Sequence, residues 1–203
     1  RKSDVEVGSA GRLLIGGALW GDLRNDGVVS VSTLSSQRVL GDFLQTPAGR
    51  LDVVLGNGAL EAHGAARLDG GLHVSGVRSG YTAQNSVPVF RALNGFEGEF
   101  ATLTHDAGRL FFEGSIRYES KRTVYLDITR LDVLAVASGL GVIEPASLSS
   151  ARRLEAAFSG LDALPAENSD SAAAFRLRAG ELQGIDDPAS AKAAFASMSG
   201  AQH

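Results

Sequence analysis

The placement of glycine constrains this chain more than any other feature. Its 25 glycines fall mostly before about residue 115, between short apolar runs. Glycine tolerates positive φ and close backbone approach, so a chain punctuated in this way corners or reverses every few residues. Asp26-Gly27, Asn57-Gly58, Asp69-Gly70-Gly71 and Asn94-Gly95 have the composition of such corners. Between them apolar residues recur with period two. Val29 and Val31 alternate with serines, Leu51, Val53 and Leu55 alternate with Asp52 and Val54, and Leu72 and Val74 flank His73. Period two puts alternate side chains on one face, which predicts short half-buried strands.

The densest unit runs from Arg109 to Thr129. Leu110, Phe112, Gly114, Ile116 and Tyr118 share one face, with Phe111, Glu113, Ser115, Arg117 and Glu119 on the other. After the polar turn Glu119-Ser120-Lys121-Arg122 the alternation resumes with Val124, Leu126 and Ile128, which predicts an antiparallel hairpin. Short strands joined at glycine corners fit a sandwich, a barrel or a stacked solenoid, and periodicity alone does not choose among them. Ala66 to Val74 reads as strand, corner, strand.

Past Arg130 the chain turns rich in Ala and Leu, and apolar spacing shifts to threes and fours. Leu148, Ala151, Leu154, Phe158 and Leu161 form one helical stripe; Ala172, Phe175, Ala179 and Leu182 a second; Ala191, Ala194, Phe195 and Met198 a third. Leu154, Phe158, Phe175, Leu182, Phe195 and Met198 are the expected packing residues. Asp187 is the expected N-cap of the last helix, with Pro188 at its first position and Gly200 at its end. Ser169 or Asp170 caps the one before. The expected division is a β region over residues 1–130 and a helical segment over 131–203.

With 203 residues, 44% of them hydrophobic, the chain can bury a sizeable core. A formal charge of −4 with scattered Lys and Arg argues against nucleic acid as a partner. Cysteine is absent, which removes disulfides, thiolate metal sites and cysteine nucleophiles. No apolar run approaches the roughly 20 residues of a membrane-spanning helix. The opening Arg1-Lys2-Ser3-Asp4 resembles neither a signal peptide nor an initiation site, so the chain is expected to be a fragment of a longer protein.

His63, His73, His105 and His203 have no metal-ligand spacing. Asp22 to Gly27 lacks the carboxylate spacing and the twelfth-position Glu of a calcium loop, and reads as a turn. Gly-x-Ser-x-Gly is absent, and Gly56-Asn57-Gly58 is not followed by the Lys and Ser or Thr of a phosphate loop. No catalytic residue, metal ligand, cofactor or small-molecule substrate is expected.

A set of longer matches gives the chain a context. Gly80-Tyr81-Thr82 opens a block that continues through Gly95-Phe96-Glu97-Gly98-Glu99-Phe100-Ala101-Thr102-Leu103-Thr104, Leu110 to Tyr118, and Val124-Tyr125-Leu126-Asp127-Ile128-Thr129-Arg130. In that order these resemble the passenger-associated C-terminal segment of subtilisin-like serine protease autotransporters. Ala179-Gly180-Glu181-Leu182-Gln183 and Ala194 to His203 are similar to the stretch leading into the outer-membrane barrel of such proteins, although Ala201 replaces the more usual acidic residue. The resemblance spans roughly residues 40 to 203.

It implies a right-handed parallel β-helix ending in an autochaperone region capped by the antiparallel hairpin, then a helical linker. The implied partners are the protein's own outer-membrane β-barrel and an upstream serine protease domain, with export through periplasm and outer membrane to the cell surface. The cap would consist of Leu110, Phe112, Ile116, Tyr118, Val124, Leu126 and Ile128, and the chain itself would be non-catalytic. The alternative is a fragment of an adhesin, whose partner is a host surface ligand.

Overall fold

The structure is a computed structural model that describes residues 4–31, 37–54, 58–75, 81–105, 110–163 and 170–199. Expectations at Leu55, Gly56, Asn57, Gly80, Arg109, Ser169 and Gly200 to His203 lie outside the described residues, as does the side chain of Ala172. The protein is mainly β, with four helices in its C-terminal part. It divides into two compact units. One comprises Arg1–Arg78, Ser86–Asp106 and Ser115–Asp127; the other comprises Ser79–Asn85, Ala107–Gly114 and Ile128–His203.

The strands, in chain order, begin with β1 (Val5–Val7), β2 (Arg12–Ile15), β3 (Ala18–Leu19), β4 (Leu23–Asn25), β5 (Val28–Val31), β6 (Arg38–Val39) and β7 (Phe43–Gln45). Then come β8 (Arg50–Val54), β9 (Leu60–Ala62), β10 (Ala66–Leu68), β11 (Gly71–Ser75), β12 (Gln84–Ala92), β13 (Phe96–Gly98) and β14 (Thr102–His105). A long hairpin, β15 (Phe112–Glu119) and β16 (Thr123–Arg130), ends the series.

Each strand from β1 to β11 pairs in parallel with the strand three places on. The first sheet runs β1-β4-β7-β10-β13, the second β14-β11-β8-β5-β2, and the third carries β3, β6, β9 and β12, then β16 and β15. Register stacks like on like. Leu13, Val29, Leu51, Leu72 and Leu103 fall in one row of the second sheet. Val29, Leu51 and Leu72 are completely buried, each worth about 1.5–3 kcal/mol of transfer free energy. The period-two faces of the sequence are therefore rows of a common core.

Two corner devices repeat with the strands. The side chains of Asp4, Asp22 and Asp42 accept hydrogen bonds from the backbone N–H of Asp22, Asp42 and Ala65, at 3.0, 2.8 and 2.8 Å. These steps span 18, 20 and 23 residues. A second device lies inside the core. Asn25 donates to Gln45 at 3.0 Å and to the Arg50 carbonyl at 3.1 Å, and Gln45 donates to the carbonyls of Asp69 and Gly71 at 2.7 and 3.0 Å. Both side chains are completely buried, and these bonds satisfy corner carbonyls that would otherwise be stranded.

The corners work in two ways. Gly70 and Gly95 take positive φ, +63° and +84°, as expected. Gly27 does not. A Cβ there would lie 2.2 Å from the Gly8 carbonyl oxygen, so Gly27 answers to close approach rather than to dihedral angle.

The second unit holds α1 (Val133–Gly139), α2 (Pro145–Asp162), α3 (Asp170–Gln183) and α4 (Pro188–Met198). Its core contains Val133, Ala137, Ala151, Phe158, Leu161, Ala179, Ala191 and Phe195, together with Phe111, whose ring meets Phe195 edge-on at 6.4 Å. Asp132 and Asp187 cap α1 and α4 by accepting from Ala135 N at 2.7 Å and Ser190 N at 2.8 Å. No described helix is long and apolar enough to cross a membrane.

Three expectations change. Phe175 and Met198 are exposed, at 42% and 40%, because α3 packs through Ala179, Leu182 and Gln183, beyond Phe175, and α4 through Ala191 and Phe195, short of Met198. Leu154 and Leu182 pack only partly, while Phe158 and Phe195 are buried. The units do not divide at a single cut after residue 130. β12, β15 and β16, with nine, eight and eight residues, outrun neighbours of two to five, and their surplus length belongs to the second unit.

Candidate functional site

His63 Nε2 lies 2.8 Å from Glu61 Oε1, and His73 Nδ1 lies 2.9 Å from the Thr104 hydroxyl. No group of three His, Cys, Asp or Glu among the described residues can hold a metal ion. Around Asp22 to Gly27 the carboxylates diverge. Asp22 accepts from Asp42 N, while Asp26 binds Arg24 and Thr46, which is the behaviour of a turn.

The most built-up site lies where the strand series of the first unit meets the hairpin. The loop Glu119-Ser120-Lys121-Arg122 is a tight turn, with Arg122 N donating to Glu119 O at 3.0 Å. Ser120 and Lys121 both take positive φ, +52° and +50°. That is the type I′ geometry that matches strand twist, made here without the Asn-Gly pair that would adopt it most easily. β16 runs antiparallel to β12, and Ala92 N donates to Arg122 O at 2.9 Å.

The hairpin covers β13, the terminal strand of the first sheet. Phe96 N donates to Lys121 O at 2.8 Å, and Phe100 N donates to the Tyr118 hydroxyl at 2.8 Å. Aromatic rings continue beneath, from Phe43 to Phe90 at 5.2 Å, Phe90 to Phe96 at 6.5 Å and Phe96 to Tyr118 at 5.9 Å. Burial pushes the Tyr118 phenol up, against the Phe100 N–H that favours its anion.

The seven expected cap residues do not form one buried face. Val124 and Leu126 are buried, whereas Phe112, Ile116, Tyr118 and Ile128 are half-buried. β15 is the edge of its sheet, so its side chains have a neighbouring strand on one side only. Leu110 packs partly against the helical core, and its neighbour Phe111, expected on the polar face, is 1% exposed there. Phe111 precedes β15, so strand alternation does not govern it.

On the outer face, one guanidinium ties three strands together. Arg117 of β15 binds Asp127 of β16 at 2.7 Å, Glu119 at 2.9 Å and Ser86 of β12 at 3.0 Å, and lies 4.4 Å over the Tyr125 ring. Arg117 and then Ser86 hold the Asp127 carboxyl below its usual range. Ser86 also donates to Asp127, whose carboxylate is a weak base because Arg117 stabilises its ionised form.

The second unit has its own polar centre. Arg130, whose side chain is 9% exposed, pairs with Glu155 at 2.7 Å and Asp162 at 2.7 Å. Tyr81 donates to Asp162 at 2.6 Å, and Gln183 brackets Thr82 by bonding both its N–H and its carbonyl at 2.9 Å. Glu155 and Asp162 lie about two helical turns apart on α2, and so share a face. Every ionised group in the cluster is compensated, which suits a structural tie rather than a reactive one.

Sequence reasoning missed these polar ties. The readable signal for one of them is the doublet Gly-Asp before an apolar residue, at Gly21-Asp22-Leu23 and Gly41-Asp42-Phe43. No family model, curated protein or solved structure matches the chain.

Proposed function

We infer that the first unit is a right-handed three-sided parallel β-helix, and that the chain serves as the non-catalytic folding and export module of an autotransporter. The hairpin is its cap, the helical unit is the linker to an outer-membrane barrel, and a serine protease lies upstream in the parent protein. The observation that carries this reading is the treatment of β13. Parallel strands recurring at every third position leave a terminal edge that would template further pairing, and here Lys121 O takes up the Phe96 N–H at the start of β13 and Tyr118 the Phe100 N–H just beyond its end. A terminus sealed in this way can act as a stable seed on which earlier strands add as they emerge. Right-handedness follows from the strong preference of parallel crossover connections.

The purified chain tests the folding claim. Leu126→Ala should slow refolding in proportion to its loss of stability, whereas Leu23→Ala should mainly accelerate unfolding. In the parent polypeptide, Leu126→Ala should reduce protease-accessible protein at the cell surface. Unchanged refolding together with normal display would sink the reading.

An adhesin passenger is the second reading. Trp20 at 70% exposure and Leu14 at 66% favour it, as large apolar groups open to a partner.

A further inference from the structure

The row of corner aspartates in the first unit stops abruptly. After Asp4, Asp22 and Asp42 the equivalent positions are Ala65 and Gly95, each immediately before a strand of the first sheet. A groove of about 690 Å³ lies at this break, with Ala65 and Gly95 in its lining and the turn Ser120 to Arg122 along one side. That volume falls within the range of small-ligand sites, roughly 300–1,000 Å³.

Three cations line this groove, Arg67, Lys121 and Arg122, and all three are exposed. Among the described residues none of them has an ion-pair partner within 4.0 Å, in contrast to Arg24, Arg50, Arg117 and Arg130. Two carboxylates, Asp42 and Glu97, share the lining, and Asp42 keeps its bond to Ala65 N. The chain as a whole carries a charge of −4, so this concentration of unpaired cations is local.

We propose that the groove at the break in the aspartate row binds an acidic saccharide chain. Its sulfate or carboxylate groups sit among Arg67, Lys121 and Arg122, and its hydroxyls donate to Asp42 and Glu97. The mixture decides the class of ligand. A bare polyanion gains nothing from two carboxylates, whereas a sugar carries hydroxyl donors that need acceptors. An added peptide strand is disfavoured, because the Phe96 N–H that it would use already donates to Lys121 O. Phe96 itself points inward at 6% exposure, so no open ring offers an anchor for an apolar side chain. This proposal does not depend on the export reading.

The test is titration of the whole ¹⁵N-labelled chain with a heparin hexasaccharide in low salt, followed by NMR. Shifts should centre on residues 65–67, 95–97 and 120–122 and weaken steeply at 0.15 M salt, because the contacts are ionic. Arg67→Glu should weaken binding at least tenfold. Ala65→Asp, which puts a carboxylate back into the row, should do the same while leaving the melting temperature unchanged or higher, so loss of binding by that variant is not loss of fold. Maltohexaose, which is neutral, should not bind. Equal binding by Ala65→Asp, equal affinity for inorganic sulfate alone, tighter binding of a hexaglutamate peptide, or no shifts in the groove would each overturn the proposal.

Discussion

A buried residue in the first unit meets its own counterpart three strands away, whereas one in the second unit meets unlike neighbours. Leu51 lies between Val29 and Leu72 in one row, and Asn25 bonds Gln45 in another. Phe158 instead packs in a core made from four helices and Phe111, beside the Arg130 guanidinium at 5.5 Å. Rows satisfy the corner backbone by repetition, so one defect is shared with the strands on either side. The helices satisfy their own backbone, and their arrangement rests on a few large side chains and one ionic tie. The second unit should therefore concentrate its sensitivity at fewer positions.

The largest effects test that contrast. Phe158→Ala should cost about 3–5 kcal/mol and lower the thermal transition of the helical signal at 222 nm. Leu51→Ala should cost about 2–4 kcal/mol and act on the β signal, since strands on both sides still hold its row. If Leu51→Ala collapses the helical signal by as much as Phe158→Ala does, the two units do not differ in this way.

Arg130→Ala comes next, at about 3 kcal/mol, because it strands two carboxylates on α2. The same tie makes the second unit acid-sensitive. Burial alone would raise the Glu155 carboxyl, but Arg130, the Val133 N–H and Ser159 outweigh it and hold it below its usual range. A carboxyl lowered by folding contributes stability above its unfolded pKa of about 4.3, and that contribution fades as pH falls through the lower folded value. Denaturant midpoints of the native chain should drop below pH 4.3, and Glu155→Gln should flatten that drop while starting from a lower midpoint at neutral pH.

Smaller losses belong to the first unit's polar row. Gln45→Ala removes bonds to Asn25, Asp69 and Gly71 and should cost about 1–3 kcal/mol. Gln45→Leu keeps the volume but leaves the same carbonyls unbonded. Calorimetry that ranks Leu as stable as wild type would show that volume, not hydrogen bonding, is what this position supplies.

The sequence shows the rows but not which strand lies beside which. Val29, Val31, Leu72 and Val74 announce an inward face by alternation, and all four are buried. Pairing three strands on is hidden, because steps of 18, 20 and 23 residues blur any repeat. Asn25 and Gln45 look like surface residues until the corner carbonyls they bond are in place. The helical unit misleads in the opposite sense. Apolar spacing extends the stripes to Phe175, which precedes the packed part of α3, and to Met198, which follows that of α4, and α1 is too short for its spacing to stand out. Asp132 before Val133 was its only readable mark. The hairpin is legible at Val124 and Leu126 and over-read on β15, since alternation cannot tell an edge strand from a central one.

The smallest effect tests whether the hairpin turn depends on its neighbours. Ser120 and Lys121 hold positive φ without being glycine, a conformation that costs roughly 1 kcal/mol or more per residue and is repaid by the bonds from Ala92 and Phe96 to the turn carbonyls. Replacing the pair by Asn-Gly keeps those carbonyls and relieves the strain, so Ser120→Asn with Lys121→Gly should stabilise the chain by about 1 kcal/mol. The gain should appear as slower unfolding if the turn closes late, and as faster refolding if the hairpin forms before the rows. Faster refolding would strengthen the view that the hairpin seeds the strand series, and slower unfolding alone would make it only a lid.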